Sequence, residues 1–83
     1  MAERALVIVP TYNERENISR LIVTVLDQDD RLEVLVVDDG SPDGTARTVR
    51  SLPVFCSRLF LLERPRKMGL GSAYIAGFQW ALA

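Results

Sequence analysis

The sequence predicts an α/β protein, a parallel sheet laid down in the order β-α-β-α-β-α. Three observations predict it. Short, continuous apolar runs at Ala5 to Val9, Val34 to Val37 (within a strand read as Leu32 to Val37) and Leu59 to Leu62 have strand length. They lack the alternation of a half-exposed strand, as expected where parallel strands are buried on both faces. Segments with apolar residues at helical spacing separate and follow these runs, and such alternation builds a parallel sheet with right-handed crossovers. Polar and acidic clusters stand at the carboxyl ends of the first two runs, where open parallel sheets bind their ligands.

Each element has its own signals. Pro10, which has no N–H to donate, is expected to end the first strand. Asn13 then reads as a helix N-cap, with Glu16 completing a capping-box-like pair. Ile18, Leu21, Ile22, Val25 and Leu26 form one helical stripe, broken by the polar turn Asp27 to Asp30. The second strand runs into Gly40-Ser41-Pro42-Asp43-Gly44, a segment dense in turn residues. A shorter helix is expected from about Thr45 to Leu52, stopped by Pro53. After the third strand, Arg64 to Lys67 forms a basic loop around Pro65. A third helix opens at Gly69-Leu70-Gly71-Ser72, with Leu70, Ala73, Tyr74, Gly77, Phe78 and Ala81 on one face. Gly69, Gly71 and Gly77 weaken that helix unless close backbone packing requires them.

Length and composition narrow the classes. With 83 residues the chain holds at most one small domain. A domain of this size buries only about 60% of the surface its unfolded chain exposes. Three strands leave edges uncovered, and the third helix runs to Ala83 without a cap. Residues 1–83 are therefore expected to be the front part of a larger domain. The net charge of −1 supplies no field that favours nucleic acid or an acidic membrane, and nucleic acid is not expected as a partner. The single cysteine, Cys56, cannot pair within the chain and is expected to be a small buried hydrophobe. With no histidine, an imidazole base and a histidine-containing zinc site are excluded from this segment. Nothing approaches the ~20 apolar residues of a membrane span, and Met1-Ala2-Glu3-Arg4 lacks a signal peptide's apolar core. A cytosolic setting is the default expectation.

The chemistry gathers in two clusters. Pro10-Thr11-Tyr12-Asn13-Glu14 offers an aromatic ring, a phenolic hydroxyl and a carboxylate. Asp38-Asp39-Gly40-Ser41-Pro42-Asp43-Gly44 offers carboxylates whose side chains alternate in direction. An ionised carboxylate only accepts hydrogen bonds, so it suits the N–H groups of a nucleobase or the hydroxyls of a ribose. The plainer alternative is that both aspartates cap the turn at Gly40 and Ser41, and that Tyr12 is simply exposed beside a capped helix. Arg58, Arg64, Arg66 and Lys67 crowd the last third, opposed there only by Glu63. They form either a solvated loop or a patch facing a phosphate or an anionic headgroup. Gly69-Leu70-Gly71 lacks the third glycine of a dinucleotide loop, because Tyr74 stands in its place. The first strand-to-helix turn carries Pro10 to Glu14 instead, so a nicotinamide enzyme is not expected. The G-x-x-x-x-G-K-[ST] phosphate loop is also missing. A phosphorylatable receiver domain carries its aspartate pair after the first strand, and here the pair follows the second.

Val7-Ile8-Val9-Pro10-Thr11-Tyr12-Asn13-Glu14, Val36-Val37-Asp38-Asp39-Gly40-Ser41-Pro42-Asp43-Gly44-Thr45 and Gly69-Leu70-Gly71-Ser72-Ala73-Tyr74 resemble the inverting family 2 glycosyltransferases of GT-A fold. The extension Pro42-Asp43-Gly44-Thr45, with Arg64-Pro65 and Lys67-Met68-Gly69-Leu70-Gly71, resembles the polyprenol (dolichol) monophosphate mannose synthase branch. The resemblance implies an incomplete, Rossmann-like GT-A half that binds a nucleotide sugar. It implies transfer of mannose from GDP-mannose to a polyprenyl phosphate, with inversion. It implies that Pro10, Tyr12 and Glu14 contact the nucleotide, that Val37 and Asp39 hold the base and its ribose region, and that Asp38 supports the turn. Gly69 to Tyr74 would pack the third helix close to that pocket, and Arg66 and Lys67 would lie near a phosphate. On this placement, Asp39→Ala is expected to weaken nucleotide binding with little loss of fold. A divalent metal, Mg or Mn, is implied for the complete enzyme, held by an Asp-x-Asp motif on a next strand that would begin after Ala83. No catalytic residue is assigned among the 83, and the piece alone is expected to be inactive. A lipid acceptor implies work at the cytoplasmic face of a membrane. The alternatives are a related transferase using UDP-glucose or another nucleotide sugar, and a non-catalytic nucleotide-binding fragment.

Overall fold

A computed structural model describes residues 3–83; Met1 and Ala2, part of the start that lacks a signal-peptide core, lie outside the described residues. The elements follow the expected order: β1 Ala5–Thr11, α1 Arg15–Leu26, β2 Leu32–Asp38, α2 Thr45–Arg50, β3 Leu59–Glu63 and α3 Leu70–Leu82. The three strands form one parallel sheet in the order β1-β2-β3. Val9 pairs with Val36, which pairs with Leu61, and the strand ends Thr11, Asp38 and Glu63 lie in one row.

The continuous apolar run of β2 follows from its central place. Val34 and Val36 face α1 and α2, packing with Ile18, Ile22, Leu26, Val49 and Leu59. Leu35 and Val37 face the opposite side, against Ala73 of α3 with Leu6, Ile8, Phe60 and Leu62 around them. All four β2 side chains are fully buried. Burial at roughly 1.5–3 kcal/mol per large apolar side chain makes this strand the main hydrophobic anchor.

Several local expectations are corrected. Pro10 does not end β1, which continues through Thr11. Ala5 donates its N–H to the Arg31 carbonyl at 3.1 Å, and the Thr11 carbonyl accepts the Asp39 N–H at 3.1 Å. Pro10 lies on the alternate phase, so its missing N–H is directed away from β2 and costs no ladder bond. Asn13 is not the helix cap. It has a left-handed φ of 56°, the cap position belongs to Glu14, and no side chain of that residue closes the helix start. In α1, Leu21 is exposed while Ile18, Ile22 and Leu26 are buried, because the helix meets the sheet along an i, i+4, i+8 line. The second helix is shorter than expected and ends at Arg50. Cys56 is exposed rather than buried and sits at a φ of 69° in the turn before β3.

The third helix differs most. Of the expected face only Ala73 and Gly77 are buried; Leu70, Tyr74 and Phe78 are exposed. The helix lies so close to β1 that only the smallest residues fit beneath it. A Cβ on Gly77 would stand 2.8 Å from Cγ2 of Ile8. Further along, Trp80 packs on Phe60 with ring centroids 5.4 Å apart.

A second close approach joins the loops at the carboxyl end of the sheet. Gly40 has a φ of 69°, and a Cβ there would lie 2.7 Å from the Pro65 carbonyl oxygen. Gly40→Ala must therefore adopt a left-handed backbone and push back another backbone segment. In the intact protein it is expected to lower unfolding free energy by about 1–3 kcal/mol. Chemical denaturation measures this, and a loss below about 0.5 kcal/mol, the size of an ordinary surface change, would contradict the close approach.

Candidate functional site

The row of strand ends is organised by two buried carboxylates. Asp38 turns inward and accepts from three donors: the Thr11 hydroxyl at 2.8 Å, the Ser41 N–H at 3.0 Å and the Ser41 hydroxyl at 2.6 Å. It thereby ties the end of β1 to the loop after β2. Ser41 extends the tie, because its Oγ accepts the Asn13 N–H at 2.8 Å.

That same loop closes the start of α1, in place of the expected Asn13 cap. Thr45 Oγ1 accepts the Glu14 N–H at 3.0 Å, and Asp43 Oδ2 accepts the Arg15 N–H at 3.1 Å. Asp43 Oδ1 in turn accepts both the N–H and the hydroxyl of Thr45. Asp43 thus puts a negative charge at the positive end of the α1 dipole. The Thr45 hydroxyl, with the backbone N–H groups of Arg15 and Thr45, lowers its pKa from the ordinary carboxylate value. These cross-loop bonds fix the backbone of Asn13, Glu14 and Arg15, and through it the position of Tyr12.

Asp39 points away from Asp38, as alternation requires, and binds Arg64. The guanidinium grips it with a fork, Nε to Oδ1 at 2.6 Å and Nη2 to Oδ2 at 2.8 Å. The Met68 N–H adds a third bond to Oδ2 at 3.2 Å. Both side chains are buried, 9% and 8% exposed for Arg64 and Asp39. The Arg64 fork, helped by the Met68 N–H and the Lys67 charge, holds the Asp39 carboxyl below its ordinary pKa. This overturns the expectation that Asp39→Ala would spare the fold, since the substitution strands a buried guanidinium.

The basic segment is likewise not one solvated patch. Arg58 donates to the carbonyls of Leu26, Asp29 and Leu32 at 2.9, 2.8 and 3.1 Å, closing the turn between α1 and β2. Arg64 is the Asp39 partner. Arg66 and Lys67 are exposed, and Lys67 Nζ lies 5.2 Å from the centroid of the Tyr12 ring.

Between these loops lies a cleft of about 470 Å³, lined by Pro10, Thr11, Tyr12, Glu14, Asp39, Lys67, Gly69 and Leu70. Five of the seven positions singled out in the sequence, Pro10, Tyr12, Glu14, Asp39 and Lys67, meet here. Val37 does not line the cleft; it is fully buried beneath α3. Arg66 is also outside the lining set. Thr11 and Leu70 were not singled out, nor was Arg64 as the partner of Asp39. The parallel register supplies the signal for that pair: Asp38 faces Glu63, so the next residues, Asp39 and Arg64, leave neighbouring strands together.

A cleft across the carboxyl ends of parallel strands, with a ring, carboxylates and a cation on its walls, stands where open α/β sheets take their ligands. The chain belongs to glycosyl transferase family 2, which matches residues 6–83. It is 47% identical over 81 residues to a polyprenol monophosphomannose synthase of Mycolicibacterium smegmatis, covering 96% of this chain and 31% of that protein. It is 44% identical over 79 residues to an undecaprenyl-phosphate mannosyltransferase of Micrococcus luteus, covering 95% of this chain and 32% of that protein. The solved structure of the mannosyltransferase PcManGT from Pyrobaculum calidifontis, in complex with GDP-Man and Mn2+, matches with a TM-score of 0.81 at 36% identity. That match covers 96% of this chain and 25% of the other. The chain therefore spans about a third of the length of the curated relatives it matches.

Among the described residues no three His, Cys, Asp or Glu side chains converge to hold a metal ion. Asp38 and Asp39 each accept three internal hydrogen bonds, so the residues present do not fit a resident metal ion.

The Asp39–Arg64 pair makes stability depend on pH. A carboxyl with a depressed folded pKa contributes fully above its unfolded value, near pH 4, and loses that contribution as pH falls through the folded value. Asp39→Asn is expected to cost about 1–3 kcal/mol at neutral pH. The gap between wild type and variant should shrink on acidification below about pH 4. Denaturant melts across that range measure the gap; a gap that stays constant would mean Asp39 is not held ionised by Arg64.

Proposed function

We propose that this chain is the N-terminal nucleotide-sugar-binding part of a single glycosyltransferase domain. The complete domain transfers mannose from GDP-mannose to a polyprenyl phosphate such as dolichyl phosphate, with inversion. The observation that carries the reading is the convergence of Pro10, Tyr12, Glu14, Asp39 and Lys67 on one cleft. The names of the two relatives and the GDP-Man complex of the structural neighbour support the donor and acceptor.

In this reading Glu14, an acceptor only, meets N–H and hydroxyl donors of the base and ribose, and Asp39, which already accepts from Arg64 and Met68, has one acceptor position left for the ribose. Tyr12 offers the ring face not covered by Lys67. Lys67, with Arg66 beside it, supplies positive charge toward the diphosphate. The acceptor phosphate is already ionised, so its oxygen attacks the anomeric carbon without a strong general base. The new C–O bond forms on the face opposite the breaking bond to GDP, which inverts the centre, and the electron pair leaves on the diphosphate. The harder task is to stabilise that departing charge. A divalent ion, Mg or Mn, is proposed for it, held by residues outside this segment; the Mn2+ in the neighbour supports the class of ion. Because the acceptor is a lipid, the complete protein is proposed to work at the cytoplasmic face of a membrane.

Titration of the intact protein with GDP, UDP and GMP, followed by transfer assays with GDP-mannose and UDP-glucose on polyprenyl phosphate, tests the reading. GDP is expected to bind more tightly than UDP by about tenfold or more, with mannose transferred. Equal affinity for both bases, or transfer from UDP-glucose alone, would overturn the GDP-mannose assignment. Binding without transfer would mark a non-catalytic module. Glu14→Gln should weaken GDP by about tenfold, the loss of one charge-assisted hydrogen bond; unchanged affinity would remove Glu14 from the nucleotide site.

A further inference from the structure

We propose that Arg64, which does not line the cleft, is a positioning residue for it: by gripping the end of β2 and the start of α3 at once, it folds the loop 64–69 so that Lys67 faces Tyr12 across the opening. The proposal rests on the nucleotide reading above for what Lys67 meets there, the diphosphate of the bound nucleotide.

The geometry is that of a clasp. One guanidinium reaches three places: both oxygens of Asp39 at 2.6 and 2.8 Å, the Ser72 hydroxyl oxygen at 2.7 Å and the Gly69 carbonyl at 3.4 Å. Its own backbone N–H donates to the Asp38 carbonyl at 2.7 Å, so the loop leaves the sheet in a fixed direction. Inside the loop, the Pro65 carbonyl rests against Gly40, and the Met68 N–H returns to Asp39 at 3.2 Å. Arg64, Pro65, Met68 and Gly69 are thus held through their side chain or backbone, and the cations left to project between them are Arg66 and Lys67. Lys67 Nζ sits 5.2 Å from the Tyr12 ring centroid, on the far wall of the cleft.

Lysine cannot replace arginine in this clasp. An ammonium on a flexible stem offers no planar fork that spans two carboxylate oxygens and a third acceptor together. Arg64→Lys keeps the charge beside Asp39 and loses the geometry, which separates positioning from simple charge balance.

The test uses the intact protein and four variants: Arg64→Lys, Lys67→Ala, the two combined, and Ser72→Ala. GDP and guanosine affinities are measured by calorimetry, and exchange of the Met68 amide by hydrogen–deuterium exchange. Arg64→Lys is expected to raise the Kd for GDP by about tenfold, to change guanosine binding far less, and to speed Met68 exchange. Combined with Lys67→Ala it should add little, because both act on one contact. Ser72→Ala removes only one anchor and should move the same quantities in the same direction by a smaller factor, which keeps the test open if Arg64→Lys does not fold. Unchanged GDP affinity in Arg64→Lys, equal losses for GDP and guanosine, or losses that add in full to Lys67→Ala would overturn the proposal. Failure of the wild type to bind GDP would instead sink the nucleotide reading. The Met68 amide still decides the clasp in that case: faster exchange in Arg64→Lys supports it, and unchanged protection overturns it.

Discussion

The end of β2 holds two adjacent carboxylates in a nearly dry setting, and the loops of the molecule are arranged around satisfying them. A buried charge is tolerated only when donors surround it. Asp38 collects its donors from β1 and from its own turn, whereas Asp39 collects them from the loop after β3. Because side chains alternate along a strand, two neighbouring aspartates recruit partners in opposite directions. One short sequence therefore fastens both flanking strands' loops to the central strand. The cleft is the space left between those two fastened loops.

The same economy governs the segment that follows. Ser41, Asp43 and Thr45 accept three successive N–H groups, those of Asn13, Glu14 and Arg15. Helix starts are ordinarily capped by a residue just before them. Here the caps come from about 30 positions away, and α1 begins correctly only once the β2 loop is in place. Tyr12 and Glu14 are exposed, yet their backbone is set by a long-range network. Precision at the cleft thus derives from tertiary contacts and not from a local turn.

This explains what could be read in the sequence. The sheet, the order of elements and the burial of β2 follow from apolar runs and helical spacing, which are local signals. So did the presence of two polar clusters at strand ends, and four of their singled-out residues meet in the cleft with Lys67. The misreadings at the cleft involve a partner far along the chain. Asn13 looked like a cap because it precedes a helix, but the acceptors sit in another loop. Arg64 reads as one of four cations of a solvated loop or an anion-facing patch, but the register carries it to Asp39. The third helix was given its larger apolar residues as a buried face, but proximity to Ile8 admits only Ala73 and Gly77 there. Val37 shares a face with Asp39, two residues on, but lies deeper in the strand, where α3 covers it completely.

The basic residues show why residue type alone does not identify a ligand-facing charge. Arg58 and Arg64 have planar guanidinium groups that reach several fixed acceptors at once, and both are consumed by carbonyls or a carboxylate inside the fold. Lys67 is a point charge on a flexible stem, rests only against the face of an aromatic ring, and keeps its three donors for another partner. A cation held by such a weak contact can transfer to an anion at small cost, while one locked in a fork cannot. These three cations thus divide by chemistry: Arg58 and Arg64 are built into the fold, and Lys67 is left on the wall of the cleft.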